Sequence, residues 1–207
     1  MRNAASNLLA ALAFAFVAQT ANAATPAETF IQDNVQKGLS ILNDKSLARD
    51  QMRVQFQSFL EGLTDIRRIA IFTLGPTAKT AAPADVDAFV EAFRGYAAAV
   101  YEEQLSRYSG QSLKVAGSVQ HAAGDYVVQT YVVDPSGHQS TNADEVDFRV
   151  LDADGKMVVI DASVMGAWLA VQERDQFTSF LAQHGGDLKA LTADVERRAA
   201  NVRNGTD

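Results

Sequence analysis

AFVEAFRGYAAAVYEEQLSRYSG, residues 88–110, stands where the chain changes from helical to strand periodicity. Its apolar residues recur at the i, i+3, i+4, i+7 spacing of one helix face: Phe89, Val90, Phe93, Tyr96, Ala97, Val100, Tyr101, Leu105 and Tyr108. We expect a helix from about Pro83 to Gly110, with the glycine as a left-handed stop. The apolar face must be covered, either by protein alone or in part by a ligand.

The residues before this helix also have helical patterns. Thr25-Pro26-Ala27-Glu28 forms a capping box with proline at the first helical position, and an apolar stripe then continues to Leu42. A second helix is predicted over about 46–63, with Met52, Phe56 and Phe59 on one face. A third follows Thr64 and stops at Gly75-Pro76. Together with the long helix, these segments predict one helical layer.

After Gly110 the period falls to two, which predicts strands over 112–119 and 125–133, and then over 145–151 and 157–164. In the last strand we expect the side chains of Val158, Ile160, Ala162 and Val164 to share one face. Two further helices are predicted over 169–183 and 187–201. Helices, then an antiparallel meander, then helices define an α+β fold in which a sheet packs against a helical layer.

The first 23 residues have the pattern of a cleavable secretory signal, with Arg2, an apolar run over 8–17 and a small-residue end at Ala21-Asn22-Ala23. We therefore expect a single domain over residues 24–203, a polar tail over 204–207 and export to the periplasm. The sequence contains no cysteine, which excludes disulfides and thiolate metal sites. The formal charge of −7 disfavours nucleic acid and anionic membrane surfaces as partners.

Catalytic and metal-binding patterns are weak. His121, His138 and His184 are far apart, and none forms a convincing ligand set with a carboxylate three or four residues away, so we expect no metal site and no cofactor. No G-x-S-x-G nucleophile elbow or phosphate-cradling glycine loop occurs. The enzymatic alternative depends on Asp161, a mid-strand carboxylate that would act as acid or base if it faced a cavity, whereas a solvated or helix-capping aspartate is the ordinary interpretation.

The long helix carries an unusual aromatic content for its length. Its phenylalanines and tyrosines alternate with small side chains such as Ala92 and Ala97, and such stripes are usually core. Tyrosine, however, favours places where an apolar cavity meets water, because its hydroxyl needs a partner. Core packing and a ligand pocket both stay open on this evidence.

Two blocks of the sequence carry a recognisable pattern. The first block contains Leu74, Gly75, Phe89, Phe93, Tyr101, Leu105, Tyr108, Gly110 and Gln111. The second contains Ile160, Asp161, Gly166, Leu169, Arg174, Phe177, Leu181, Gly186 and Leu191. In these residues the sequence resembles the MlaC-type periplasmic phospholipid-binding proteins, the toluene-tolerance auxiliary family of a lipid ABC transporter. Two departures are Trp168, where many members have a small residue, and Pro76, where a bulkier residue is common.

The resemblance implies an NTF2-like α+β fold with an apolar cavity for acyl chains and no catalytic residue. It also implies a lipid carrier that serves outer-membrane lipid asymmetry and docks to the MCE-domain component of an inner-membrane ABC transporter and to an outer-membrane lipoprotein complex. The ligand would be a phospholipid or, as in related proteins, a hopanoid. We expect the carrier to be a monomer.

The predicted pocket lies between the helical layer and the sheet. Its predicted wall is Phe72, Phe89, Phe93, Tyr96, Val100, Tyr101, Val128, Phe148, Val150, Ile160 and Val164, with Trp168 as a wall or gate. Two other classes remain open. An NTF2-like enzyme would need Asp161 inside the cavity, and an assembly factor would have the same stripes without a cavity.

Overall fold

The computed structural model describes residues 23–139 and 145–206, so the predicted signal peptide lies outside the described residues apart from Ala23. The helices are α1 (Pro26–Leu42), α2 (Arg49–Leu63), α3 (Ile66–Thr73), α4 (Pro83–Ser106), α5 (Leu169–Gln183) and α6 (Leu188–Asn204), with a 3₁₀ turn over Gly75–Lys79. The strands are β1 (Ser112–Ala122), β2 (Asp125–Val133), β3 (Glu145–Ala153), β4 (Lys156–Val164) and β5 (Ala167–Trp168). The predicted α+β class is confirmed. None of the helices in these ranges is both long and apolar enough to cross a membrane.

Local capping sets several helix ends. The Thr25 hydroxyl accepts from the Glu28 amide and the Glu28 carboxylate accepts from the Thr25 amide, which is the predicted capping box at the start of α1. At the other end of the helical half, α4 stops at Ser106, four residues before the predicted stop at Gly110. The amides after the helix bond to carbonyls three residues back, so the last turn tightens before the chain leaves the helix.

The five strands form one antiparallel sheet in the order β1-β2-β3-β4-β5. Tight turns connect β1 to β2, β3 to β4 and β4 to β5. The predicted turn at Asp154-Gly155 has both residues at positive φ, +54° and +84°. The β4–β5 turn has the same signs at Met165 and Gly166.

The predicted shared face on β4 is wrong, because a β-bulge interrupts the alternation. Arg149 pairs with Asp161, but the next residue of β3, Val150, pairs with Val159, so Ile160 is the extra residue. Side chains before and after the bulge are therefore out of phase. Val159 and Ala162 face the same side as Phe148, and Val158 faces the opposite side.

Among the described residues, two large cores and one small cluster between α4 and α6 hold the fold together. One is made by helices alone: α3, α4, α5 and α6 bury Phe89, Phe93 and Phe177, whose rings meet edge to face at 5.8 and 6.3 Å. The other lies between α1 and the sheet and buries Ile31 and Val128. The second core stops short of α2, and a pocket lies beyond it.

Candidate functional site

The pocket lies between α1, α2 and one face of the sheet, with a volume of about 300 Å³. This volume lies at the lower end of the range for small-molecule sites. The wall is almost wholly apolar and contains no charged side chain. It is formed by Ile31, Asn34, Val35, Gly38, Leu39, Leu42, Phe56, Phe59, Leu60, Leu63, Tyr108, Gln111, Ser112, Leu113, Val132, Phe148 and Val159.

The helix α2 forms one side of this pocket, and its apolar side chains are not buried in either core. It is amphipathic, yet none of its 15 residues is fully buried. Phe56, Phe59, Leu60 and Leu63 turn toward the pocket, while Val54 on the other side is 67% exposed. An amphipathic helix normally covers its apolar face with protein. Here much of that face borders open space.

The opposite side is α1, where a glycine brings the two helices close. Gly38 is buried in mid-helix, and a Cβ built on it would lie 3.1 Å from Phe59 Cε1 and 3.5 Å from Phe56 Cε2. A larger side chain at Gly38 would therefore enter the space beside these two rings. The absence of a side chain there keeps that part of the pocket open.

The floor of the pocket is the sheet. Leu113 of β1 pairs with Val132 of β2, and both lie in the wall. Farther across, Phe148 of β3 and Val159 of β4 complete the floor, and the bulge at Ile160 gives these two residues the same face. The bulge therefore determines which β4 side chains border the pocket.

Polar groups are few in this wall. The amide of Asn34 donates to the Phe30 carbonyl at 2.8 Å, and the amide of Gln111 bonds to Ser109 through both its oxygen and its nitrogen. The Tyr108 hydroxyl oxygen is buried and has no hydrogen-bond partner among the described residues.

The residues predicted from the sequence to line a pocket are spread over several parts of the fold. Phe148 is in the wall just described, and Val128 and Val150 are buried in the neighbouring α1–sheet core. Phe89, Phe93 and Tyr96 pack in or against the core made by helices alone, and Val100 packs beside α6. Outside both cores, Phe72 is 39% exposed beneath the Arg174 guanidinium, and Val164 is 42% exposed beside the β4–β5 turn.

Three predicted residues remain. Tyr101 is largely buried on α4, and burial raises the pKa of its hydroxyl. Ile160 is the bulge residue of β4, and Trp168 lies half-buried in β5, where it pairs with Ser163. None of these three is in the wall of the α1–α2 pocket.

Sequence reasoning missed the helices that border the pocket. The stripes of α1 and α2 were visible as Ile31, Val35, Leu39, Phe56 and Phe59, but each had the pattern of an ordinary packed helix. The wall residue Val132 belongs to β2, a strand whose two faces are similarly apolar. No local pattern separates a face that packs on protein from one that borders a pocket.

Two carboxylates with raised pKa values, Asp161 and Glu173, lie outside this pocket. Asp161 Oδ1 accepts from the amides of Ala162 and Ala170 at 2.8 and 2.9 Å, so Asp161 holds the first turn of α5. Burial raises its pKa, and the two amides oppose that shift. Glu173 accepts from the Tyr96 hydroxyl at 3.0 Å, and burial raises the pKa of its carboxyl. Neither carboxylate lines the pocket.

The fold and the pocket define a class: an α+β protein with an apolar ligand pocket between two helices and an antiparallel sheet. The family model for the MlaC protein matches residues 32–197, which is most of the chain, and the chain belongs to this family. No curated protein sequence matches the chain closely.

A solved structure has the same fold. It is the phospholipid-binding protein from Ralstonia solanacearum, determined in complex with a phospholipid. The TM-score is 0.73 at 21% sequence identity, and the match covers 86% of this chain and 99% of that one. At this identity the likeness establishes the fold.

Proposed function

We propose that this protein is a periplasmic lipid carrier that holds the acyl chains of a phospholipid in the α1–α2 pocket. The single observation that carries the proposal is α2, an amphipathic helix with no fully buried residue whose apolar side borders an open apolar pocket. Membership of the MlaC family and the phospholipid complex of the structural neighbour support the choice of ligand.

The physical reason for such a carrier is the cost of exposing acyl chains to water. Each methylene moved from water into an apolar site gains about 0.8 kcal/mol, so two chains of roughly fifteen methylenes gain on the order of 20 kcal/mol. The same chains are already dry in a bilayer, so the net preference of the pocket over a membrane is small. A small net preference allows the carrier to release its lipid.

A lipid needs more room than the pocket now provides. Because α2 buries none of its residues, moving it outward breaks little packing, whereas moving α4 would expose Phe89 and Phe93. We therefore place the adjustable wall at α2. The headgroup stays outside, because the wall has no charged group to pair with a phosphate.

The carrier needs no catalytic residue. Asp161, the alternative acid or base, is engaged with two backbone amides and lies outside the pocket, which supports binding without chemistry. Direction of transport would come from partners, for which the family suggests an MCE-domain transporter component at the inner membrane and a lipoprotein complex at the outer membrane. Protein docking also suits the acidic chain, because it does not require attraction to anionic lipid surfaces.

The test is to isolate the protein from the periplasm, measure its mass under native conditions and identify lipid in an organic extract. We expect phospholipid at one molecule or fewer per chain; hopanoid instead would keep the carrier and change its ligand. Absence of any lipid, together with failure to bind added phospholipid, would refute the proposal.

A matched pair of variants in α2 tests the pocket itself. Leu60→Glu places a carboxylate in the apolar wall, whereas Val54→Glu places one on the exposed side of the same helix. We expect the first variant to lose bound lipid and the second to keep it, with both folded by circular dichroism. Equal lipid content in the two variants would show that the α1–α2 pocket is not the site.

A further inference from the structure

Tyr108 occupies a fixed position at the edge of the pocket. It follows α4 directly, and its amide bonds to the Leu105 carbonyl at 3.2 Å. Two residues later Gly110 adopts φ of +99°, with Pro135 packed where a Cβ would lie, at 3.2 Å. The helix end and this turn restrain the backbone of Tyr108, and the residue is part of the pocket wall.

Burial of the Tyr108 hydroxyl without a hydrogen-bond partner is unfavourable. Its oxygen is buried without a hydrogen-bond partner, a state shared among described side-chain atoms only with Glu173 Oε2. An unsatisfied buried hydroxyl costs about 1–3 kcal/mol, and phenylalanine would fill the same space without that cost. Tyr96, by contrast, donates its hydroxyl to Glu173. The pocket as it stands does not expose this oxygen, so a ligand would reach it only after the pocket widens, as the proposed outward movement of α2 would allow.

The chemistry of the wall restricts what that ligand group is. Tyr108 supplies an O–H donor with no partner among the described residues, while Asn34 and Gln111 each already use one of their two amide N–H donors within the chain. No arginine or lysine lies in the wall, so an anionic phosphate would be desolvated there without a counter-charge. The ligand group must therefore accept a hydrogen bond and carry no charge, and a neutral oxygen attached to long apolar chains does both. The carbonyl of a fatty-acyl ester is such an acceptor.

We infer that the Tyr108 hydroxyl donates a hydrogen bond to an acyl-ester carbonyl of the bound lipid and thereby selects ester-linked glycerolipids over lipids that lack a carbonyl. This inference rests on the proposed function and goes beyond it, because it assigns the depth to which the lipid enters. The acyl chains fill the pocket up to their ester groups, and the glycerol and phosphate lie outside. Fused-ring hydrocarbon lipids would leave the hydroxyl unpaired.

The test compares a diacyl phosphatidylethanolamine with its dialkyl ether analogue of equal chain length, each titrated into delipidated full-length protein. The two probes differ in the carbonyls that the hydroxyl would bind. We expect the unaltered protein to prefer the diacyl lipid by roughly 5- to 10-fold, the ordinary net effect of one hydrogen bond. In Tyr108→Phe the diacyl affinity should fall by that factor, while the ether affinity should stay unchanged.

The matched control is Tyr131→Phe, which removes a hydroxyl from the opposite face of β2, outside the wall. It should leave both affinities unchanged. Equal weakening for the two lipids in Tyr108→Phe would show a packing role and overturn the inference, as would no weakening at all. If the unaltered protein binds neither lipid, the proposed function itself fails. Binding of both lipids with no ester preference refutes only the role of Tyr108.

Discussion

Filling the pocket from α1 gives the sharpest test of where the lipid binds. Gly38→Leu adds about four carbons beside Phe56 and Phe59, since a Cβ there already comes within 3.1 Å of Phe59 Cε1. If those carbons displace about four lipid methylenes at 0.8 kcal/mol each, binding weakens by about 3 kcal/mol, or on the order of 100-fold. The fold should tolerate the change, because replacing a mid-helix glycine gains about 0.8 kcal/mol of helix propensity and the displaced ring borders open space.

The assay is titration of delipidated protein with a phospholipid that carries a fluorescent acyl chain, beside urea unfolding of each variant. Gly62→Leu is the control: it makes the same substitution on α2, where a Cβ would meet nothing within 4 Å. We expect Gly62→Leu to bind like the unaltered protein and both variants to unfold within about 1 kcal/mol of it. Equal affinity for Gly38→Leu and Gly62→Leu would refute the reasoning, because the pocket would then hold no acyl chain at that place.

Three further changes separate stability from binding. Phe89→Ala should lower the free energy of unfolding by about 3–5 kcal/mol in urea, because Phe89 is fully buried against Phe177; lost lipid binding with unchanged stability would contradict this role. Asp161→Ala should cost about 1–2 kcal/mol by uncapping α5 while lipid affinity stays unchanged, and lost affinity at unchanged stability would return Asp161 to the site. Glu173→Gln should stabilise the protein more at pH 7.5 than at pH 4, and equal unfolding curves at pH 7.5 would contradict it. Burial raises the pKa of the Glu173 carboxyl in the folded state above its ordinary 4.5. Between the unfolded and the folded pKa, the folded state therefore holds a proton that the unfolded state has lost, and the free energy of unfolding falls as the pH rises through this interval. Glutamine carries no proton to lose, so the variant avoids this loss of stability.

The order and type of the elements could be predicted because their determinants are local. The capping box at Thr25 started α1 as expected, and the turn at Asp154-Gly155 closed the β3–β4 hairpin as expected. The length of α4 was less accurate, because its last turn tightens at Arg107 and Tyr108 instead of continuing to Gly110. Capping and turn chemistry depend on a few adjacent residues, so the sequence carries them directly.

The face of a β4 side chain could not be predicted, because it depends on pairing with β3. The bulge at Ile160 is an extra residue opposite the step from Arg149 to Val150, and its effect is to reverse the alternation between Val158 and Ala162. Nothing in the β4 sequence alone marks which residue is extra. Register is a property of two strands.

The residue pattern was enough to predict an α+β fold of amphipathic helices and a meander, with several apolar faces that must be buried. Which of these faces borders open space depends on how the helices and the sheet pack together. The aromatic stripe of α4 finds partners in α3, α5 and α6, and Phe89 is buried there. The apolar stripe of α2 has too few packing partners to be buried, and its Phe56 and Phe59 border the pocket. The sequence of each helix shows by itself that an apolar face must be buried. What packs against that face depends on where the fold places the other helices and the sheet.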